Sequence, residues 1–245
     1  MIVSPLQVAW DELRQARPLR VFEDDTRRKV WAVRDDEGRG WVFTCFAQPA
    51  WKQRLATRFK QHPVQLECLW QERLADAGLP VLPCVASGVT SDGRHWFVQP
   101  LLGPSLFNWV RHCELGCDAP TRHEFARQLG TTLGRMLAMR VTHDDCRANN
   151  FLLDESRRTE SGFPTLTPID LNRCRGFKGT PLLAAALPML RALLQNLREA
   201  AGHHDAPDAV MPTRADKLRL FKAMADAWPT VPDGLHRLPR HPDLH

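Results

Sequence analysis

No window of this 245-residue chain approaches the roughly 18 apolar residues that a membrane-crossing helix needs. Met1 to Arg20 carries charges throughout and has no apolar h-region, so no secretory signal is expected. Seven cysteines are scattered without a C-x-x-C pair, and a chain this long needs no disulfide staples, which points to reduced thiols in a cytoplasmic protein. Cys113 and Cys117 lie beside His112, but no second ligand pair with finger-like spacing follows, so no zinc site is expected there. Blocks of basic residues with interleaved aromatics are missing, which argues against a nucleic-acid binder. No internal repeat is evident. The balance of 33 Lys and Arg against 28 Asp and Glu leaves a formal +5, suited to an anionic partner such as a nucleotide, a phosphorylated glycan or a membrane surface. The protein is expected to be soluble or peripheral.

Chemistry concentrates in one stretch, Thr142-His143-Asp144-Asp145-Cys146-Arg147-Ala148-Asn149-Asn150-Phe151-Leu152-Leu153, followed by Pro168-Ile169-Asp170-Leu171. An Asp follows His143 by two residues, an Asn follows that Asp by five, an apolar strand comes next, and a second Asp closes another apolar strand. Phosphoryl transfer from ATP needs one carboxylate to orient and deprotonate the attacking hydroxyl, and oxygen ligands to hold Mg²⁺ on the phosphates. Asp145 fits the base, and Asn150 with Asp170 fit the metal ligands. Phe151-Leu152-Leu153 reads as a short buried strand anchoring the loop. The order matches the H-R-D-x-x-x-x-N and D-F-G patterns of kinases, with Asp144 where Arg is usual and Leu171-Asn172 in place of Phe-Gly. Adjacent carboxylates at Asp144 and Asp145 repel unless a metal or a nearby cation neutralises one of them. Arg147, two residues past the base, is placed to meet an anionic acceptor or the γ-phosphate, or is a plain surface arginine.

The elements around this stretch are legible from their periods. Lys29–Arg34 and Trp41–Phe46 read as a hairpin across the turn 35–40, and Val81–Gly88 and His95–Pro100 as two further strands turning at Ser91-Asp92-Gly93. Ala50–Phe59 reads as a short basic helix and Val64–Ala77 as a second, with Gly78 as its stop. A linker fits at Leu101-Leu102-Gly103-Pro104. Beyond it, Thr121–Met139 repeats Phe125, Leu129, Leu133, Met136 and Leu137 at helical spacing, as core. Phe151–Leu153 and Thr167–Ile169 are expected as strands around a polar loop from Glu155 to Pro164, and Pro181–Glu199 and Ala215–Trp228 as helices. Gly202–Pro212 joins those two helices, and a Pro-rich tail begins at Pro229. This order implies an α+β, two-lobed protein-kinase-like fold, with a small β-rich N-lobe over 1–100 and a mostly helical C-lobe over 101–245 that carries the catalytic and metal-binding loops.

On His143-Asp144-Asp145-Cys146, Phe151-Leu152-Leu153 and Ile169-Asp170-Leu171-Asn172-Arg173, the chain resembles the bacterial lipopolysaccharide core kinases, the heptose and Kdo kinases with a protein-kinase-like fold. Ala50-Trp51-Lys52, Glu67 and Ala77-Gly78-Leu79-Pro80-Val81 are similar to that family's small lobe, and the likeness runs roughly from Val21 to Arg175. The resemblance implies that Glu67 is the helix glutamate that pairs with a phosphate-gripping lysine. The lysine's expected place holds Thr44 and Cys45, neither of which grips a phosphate by charge. Nor does a glycine-rich phosphate loop precede that strand. Lys52, Arg54, Lys60 and Arg34 are candidates to supply the cation from another element.

The resemblance implies an ATP- and Mg²⁺-dependent kinase that phosphorylates a sugar hydroxyl of the lipopolysaccharide core, heptose or Kdo, or of a related envelope glycan. Such an enzyme is expected in the cytoplasm, with a peripheral position at the inner membrane open. Two other readings stay open: a kinase-shaped binding or regulatory protein without phosphotransfer, and a small-molecule phosphotransferase of aminoglycoside or choline type.

Overall fold

The computed structural model describes residues 5–46, 62–112, 118–178, 182–202 and 213–227. The expected basic helix Ala50–Phe59, Cys113 and Cys117, most of the connector Gly202–Pro212 and the tail from Pro229 lie outside the described residues. The chain divides into two compact units, one of residues 1–73 and 82–102, the other of residues 74–81 and 103–245.

In the first unit, α1 (Pro5–Gln15) precedes β1 (Arg20–Asp24), β2 (Arg28–Arg34), β3 (Gly40–Phe46), all but the last turn of α2 (Pro63–Asp76), β4 (Ala86–Val89) and β5 (His95–Pro100). The strands form one antiparallel sheet in the order β1-β2-β3-β5-β4. Period-two alternation divides its two faces. Trp31, Val33, Phe43, Cys45, Trp96 and Val98 form one cluster, capped by Trp10 of α1, whose ring meets Trp41 edge-on at 5.1 Å. Phe46 and Phe97 cluster on the other face with Val64 of α2. The β2–β3 turn is built by Asp35, whose carboxylate accepts the Glu37 and Arg39 amides at 3.1 and 2.8 Å, and by Gly38 at φ +78°. The strand expected over Val81–Gly88 shrinks to Ala86–Val89, because Pro83 cannot donate to a ladder. α1 carried no expectation at all.

Just ahead of α2, His62 is 0 % exposed. Its Nδ1 accepts the Val64 amide at 3.3 Å, and its ring lies 4.0 Å from that of His95. Burial, and secondarily the neighbouring His95, pull its pKa from 6.5 down to about 4. The unfolded chain therefore takes up this proton first, so stability is lost as the pH falls from about 6.5 toward about 4, by on the order of 3 kcal/mol at the lower end. Urea unfolding of a His62→Asn variant, which keeps an acceptor for Val64, should show a flatter acid limb than the wild type. An equally steep limb would assign the acid sensitivity to other groups.

The second unit contains α3 (Leu106–Arg111), α4 (Ala119–Ala138), β6 (Val141–His143), β7 (Phe151–Arg158), β8 (Pro164–Pro168), β9 (Cys174–Gly176), α5 (Leu182–Ala201) and α6 (Arg214–Asp226). Ser105 caps α3 and Asp118 caps α4, each accepting an amide three residues on. Phe125, Leu129, Leu133 and Leu137 fall on the buried face that their period requires and pack with Leu190, Leu193, Leu194 and Leu197 of α5 in the main core. α4 lies very close to α6. A Cβ placed on Gly130 or Gly134 would collide with the main-chain oxygens of Leu220 and Met224 respectively.

β7 and β8 form a hairpin longer than the expected short strands, while β6 and β9 pair over three residues each. Gly103 and Pro104, expected as linker, exchange main-chain bonds with Leu153 at 3.0 Å each, so this segment runs alongside β7.

Candidate active site

Two residues beyond the end of α4, Arg140 has a left-handed backbone (φ 57°) that turns the chain into β6. The loop that follows alternates anchors with outward side chains. Cys146, Ala148 and Phe151 sink into the core at 1 %, 0 % and 3 % exposure, which leaves Asp145, Arg147 and Asn150 nearer the surface. Burial pushes the Cys146 thiol well above its usual pKa, so this cysteine is an inert packing group.

The main chain of Ile169 clips the loop in place. Its carbonyl accepts a hydrogen bond from His143 Nε2 at 3.1 Å, and its amide donates to the Asn150 carbonyl at 3.0 Å. His143 Nδ1 accepts the Asp145 amide at 3.1 Å, so the proton of the neutral ring sits on Nε2. Burial holds the pKa of His143 below the usual value despite the Ile169 carbonyl and the carboxylates of Asp170, Asp145 and Asp144, which keeps the ring neutral as its acceptor role demands. His143 is therefore an organiser of the loop.

Asp145 is braced at both oxygens. Arg147 Nε lies 2.9 Å from Oδ1, and Asn150 Nδ2 donates to Oδ2 at 3.2 Å and to the Asp145 carbonyl at 2.8 Å. Its side chain remains 40 % exposed, open to an incoming hydroxyl. Both acceptors of the Asn150 amide lie on its nitrogen side, which leaves Oδ1 for another partner.

Asp170 stands two residues beyond the end of β8, not at a strand end as the sequence suggested. Its backbone is left-handed (φ 57°, ψ 40°) and it starts the 3-10 turn Leu171–Arg173, in which the Arg173 amide donates to its carbonyl at 3.1 Å. A non-glycine residue adopts this conformation at a cost of about 1–3 kcal/mol, and such strain persists where the surroundings impose it. Ile169 supplies that constraint, tied to both His143 and Asn150.

The repulsion expected between Asp144 and Asp145 is answered by two arginines. Arg147 takes Asp145, and Arg175 of β9 places Nε 2.5 Å from Asp144 Oδ2. Arg175 was absent from the sequence expectations, because only the β6–β9 pairing brings it opposite this loop.

His143, Asp145, Arg147 and Asn150 are thus joined by direct bonds or through shared partners, and Asp170 joins them through Ile169. Glu67 belongs to the other unit, where it is 1 % exposed on α2 and accepts Gln71 Nε2 at 3.2 Å. Thr44 lies opposite Val30 and Phe97 and shares the parity of Phe46, so it occupies the α2 face of the sheet at 3 % exposure. Cys45 points to the α1 face. Of the two residues at the expected lysine place, Thr44 is therefore the one on the relevant face. Arg34 pairs with Gly40, four positions along β2 from Val30, or about 13 Å at strand rise. Arg34 thus sits at the opposite end of the β2–β3 pairing from Thr44. Lys52, Arg54 and Lys60 lie outside the described residues.

Oxygen donors are the ligands Mg²⁺ takes, and Mg²⁺ is usually held by one or two carboxylates together with substrate phosphates. The free Asn150 Oδ1 and the Asp170 carboxylate fit that requirement. Among the described residues no group of three His, Cys, Asp or Glu forms a closed metal cage.

A model of the lipopolysaccharide kinase (Kdo/WaaP) family matches residues 12–179. The chain belongs to that family. Kdo/WaaP lipopolysaccharide kinases phosphorylate sugar hydroxyls, so this member is a phosphotransferase with an alcohol group as acceptor. Its fold is shared with WaaP, solved in complex with acyl carrier protein, at a TM-score of 0.61 and 20 % identity over 91 % of this chain and 87 % of that one. The mixed α and β architecture, with a sheet-bearing N-terminal part and a helical C-terminal part, is that kinase-like fold. Among curated proteins no sequence matches this chain. No described helix of this family member is long and apolar enough to cross a membrane.

Proposed function

We propose that this Kdo/WaaP family member transfers the γ-phosphoryl group of ATP to a hydroxyl of heptose or Kdo in the lipopolysaccharide core, working peripherally at the inner face of the cytoplasmic membrane. The observation that carries the proposal is the bracing of Asp145 by Asn150 and Arg147, on a loop clipped to the residue next to Asp170. Asp145 orients the acceptor hydroxyl and takes its proton as the new bond from the acceptor oxygen to the γ-phosphorus forms and the bond from that phosphorus to the β-phosphate oxygen breaks, releasing ADP. Asn150 and Asp170 hold Mg²⁺, which neutralises charge on the phosphates when bound. Arg147 holds the Asp145 carboxylate through its Nε and faces the γ-phosphate or an anionic acceptor. Residues 1–100 are assigned as the small lobe, with Glu67 as its charged anchor, and residues 101–245 as the lobe bearing the catalytic loop. WaaP's complex makes an acyl carrier protein a candidate partner here too.

Loss of one preorganised charge at Thr44 costs about 10²–10³ in rate by itself, which a slow biosynthetic enzyme tolerates. Two measurements test the reading. ATP with Mg²⁺ should raise the unfolding temperature, while ATP with EDTA should not. Radiolabelled γ-phosphate should then pass to core oligosaccharide bearing heptose and Kdo. Absence of any shift with Mg²⁺ and ATP would instead favour a kinase-shaped binding protein.

A further inference from the structure

The second position of the His143-Asp144-Asp145 motif carries charge opposite to the arginine usual in kinases, and the structure supplies the missing arginine from elsewhere. We propose that Asp144 and Arg175 form a positioning pair that keeps the strand before the base Asp145 in register with the strand after the metal ligand Asp170. The inference rests on the kinase reading above and adds two residues to it.

Three observations converge. Asp144 and Arg175 are in contact at 2.5 Å, and the Asp144 amide donates to the Arg173 carbonyl at 3.1 Å, so the residue is tied to the later segment by side chain and main chain together. The β6–β9 ladder pairs His143 with Cys174, Thr142 with Arg175 and Val141 with Gly176, and one main-chain bond extends it at each end, from the Asp144 amide to the Arg173 carbonyl and from the Phe177 amide to the Arg140 carbonyl, so its register is held over a few residues only. Between the two attachments lies Asp170 in its left-handed conformation. Ile169 fixes the chain on the upstream side of Asp170, and Asp144 fixes it on the downstream side.

The pairing also sorts charge. With Arg175 on Asp144, Arg147 is left to Asp145 alone. Remove Arg175 and the unpaired Asp144 carboxylate, adjacent to Asp145, competes for Arg147 and loosens the base. The Arg175 side chain is 74 % exposed and that of Asp144 40 %, so the pair adds little to global stability and acts on geometry.

Calorimetric titration of the full chain with ATP, at fixed and at varied Mg²⁺, tests this without knowledge of the acceptor. Asp144→Arg alone and Arg175→Asp alone should each weaken Mg²⁺-dependent ATP binding about tenfold, in line with the cost of a small misplacement. Combining them should restore it to within about threefold, and unfolding temperatures should move little throughout. Arg175→Lys, which keeps the charge and folds most safely, should fall between wild type and Arg175→Asp. Asp170→Asn is the control for the underlying reading: if it binds Mg²⁺ and ATP like the wild type, the kinase site itself fails. If Asp170→Asn loses binding while the single pair variants retain it, or if the double variant is no better than the singles, the positioning role is overturned. Parallel losses of unfolding temperature with unchanged binding would overturn it as well, by making the pair a stabilising contact only.

Discussion

An Asp170→Asn variant is expected to lose about 10³-fold in phosphoryl transfer while keeping its fold. The substitution preserves shape and removes one negative charge at a corner that the Ile169 and Arg173 main-chain bonds hold from both sides. An amide oxygen is a poorer ligand for a hard dication than a carboxylate, so Mg²⁺-dependent stabilisation by ATP should disappear along with turnover. Asp145→Asn provides the contrast. It removes the proposed proton acceptor and leaves the proposed ligands Asn150 and Asp170 in place, so turnover should fall by about 10²–10⁴-fold while stabilisation by Mg²⁺ and ATP survives. The two variants therefore separate a metal ligand from a base by binding, even where both are inactive. Equal binding losses in the two, or full activity in either, would refute the assignment of roles.

The other large effect concerns packing. Glycine is a poor helix former, so on propensity alone Gly134→Ala should stabilise α4 by about 1 kcal/mol. The contact with α6 reverses the sign. The added Cβ meets the main-chain oxygen of Met224 and comes to 2.9 Å from the Ala227 Cβ, and a main-chain obstacle cannot step aside by changing rotamer. Overpacking of this kind costs about 1–3 kcal/mol for one methyl, and Gly134→Val should lie at or beyond the upper end. For a chain of this size about 3 kcal/mol corresponds to roughly 6–12 °C in unfolding temperature. Gly130→Ala, facing the Leu220 oxygen, should behave alike. A rise in unfolding temperature for either alanine variant would show that α6 accommodates the methyl and that propensity governs. Because α4 delivers the chain to β6 and His143, loosening this contact should also reduce turnover.

The strongest local signals survived folding. The period of Phe125, Leu129, Leu133 and Leu137 was readable because a helix repeats its buried face within a few residues. The hairpin 29–46 was readable because Asp35 and Gly38 are turn formers between alternating strands. Helix α1 carried no expectation although Leu6, Trp10 and Leu13 recur at helical spacing, and in the fold the Trp10 ring packs against Trp41 and Phe43. The length of the β7–β8 hairpin was missed because Asp154, Glu155, Ser156, Arg157 and Arg158 look like loop, yet they pair or pass beside a strand whose register is set from the core end. Pairing partners far apart in sequence leave no mark in local composition.

The sequence by itself determined which groups are present: the carboxylates of Asp145 and Asp170, the amide of Asn150, and Thr44 with Cys45 where the family resemblance implies a lysine. Side-chain type and spacing are enough for that, because function groups are carried covalently. Tertiary structure alone decided how they are held. The clip runs through the Ile169 main chain, whose amide and carbonyl are the same in every residue but proline and so leave no signature in the sequence. The partner of Asp144 depends on β9 folding back onto β6, and the close approach of α4 to α6 depends on two helices about ninety residues apart meeting at glycines. Such contacts follow from the packing of the whole core, which no short stretch of chain can specify.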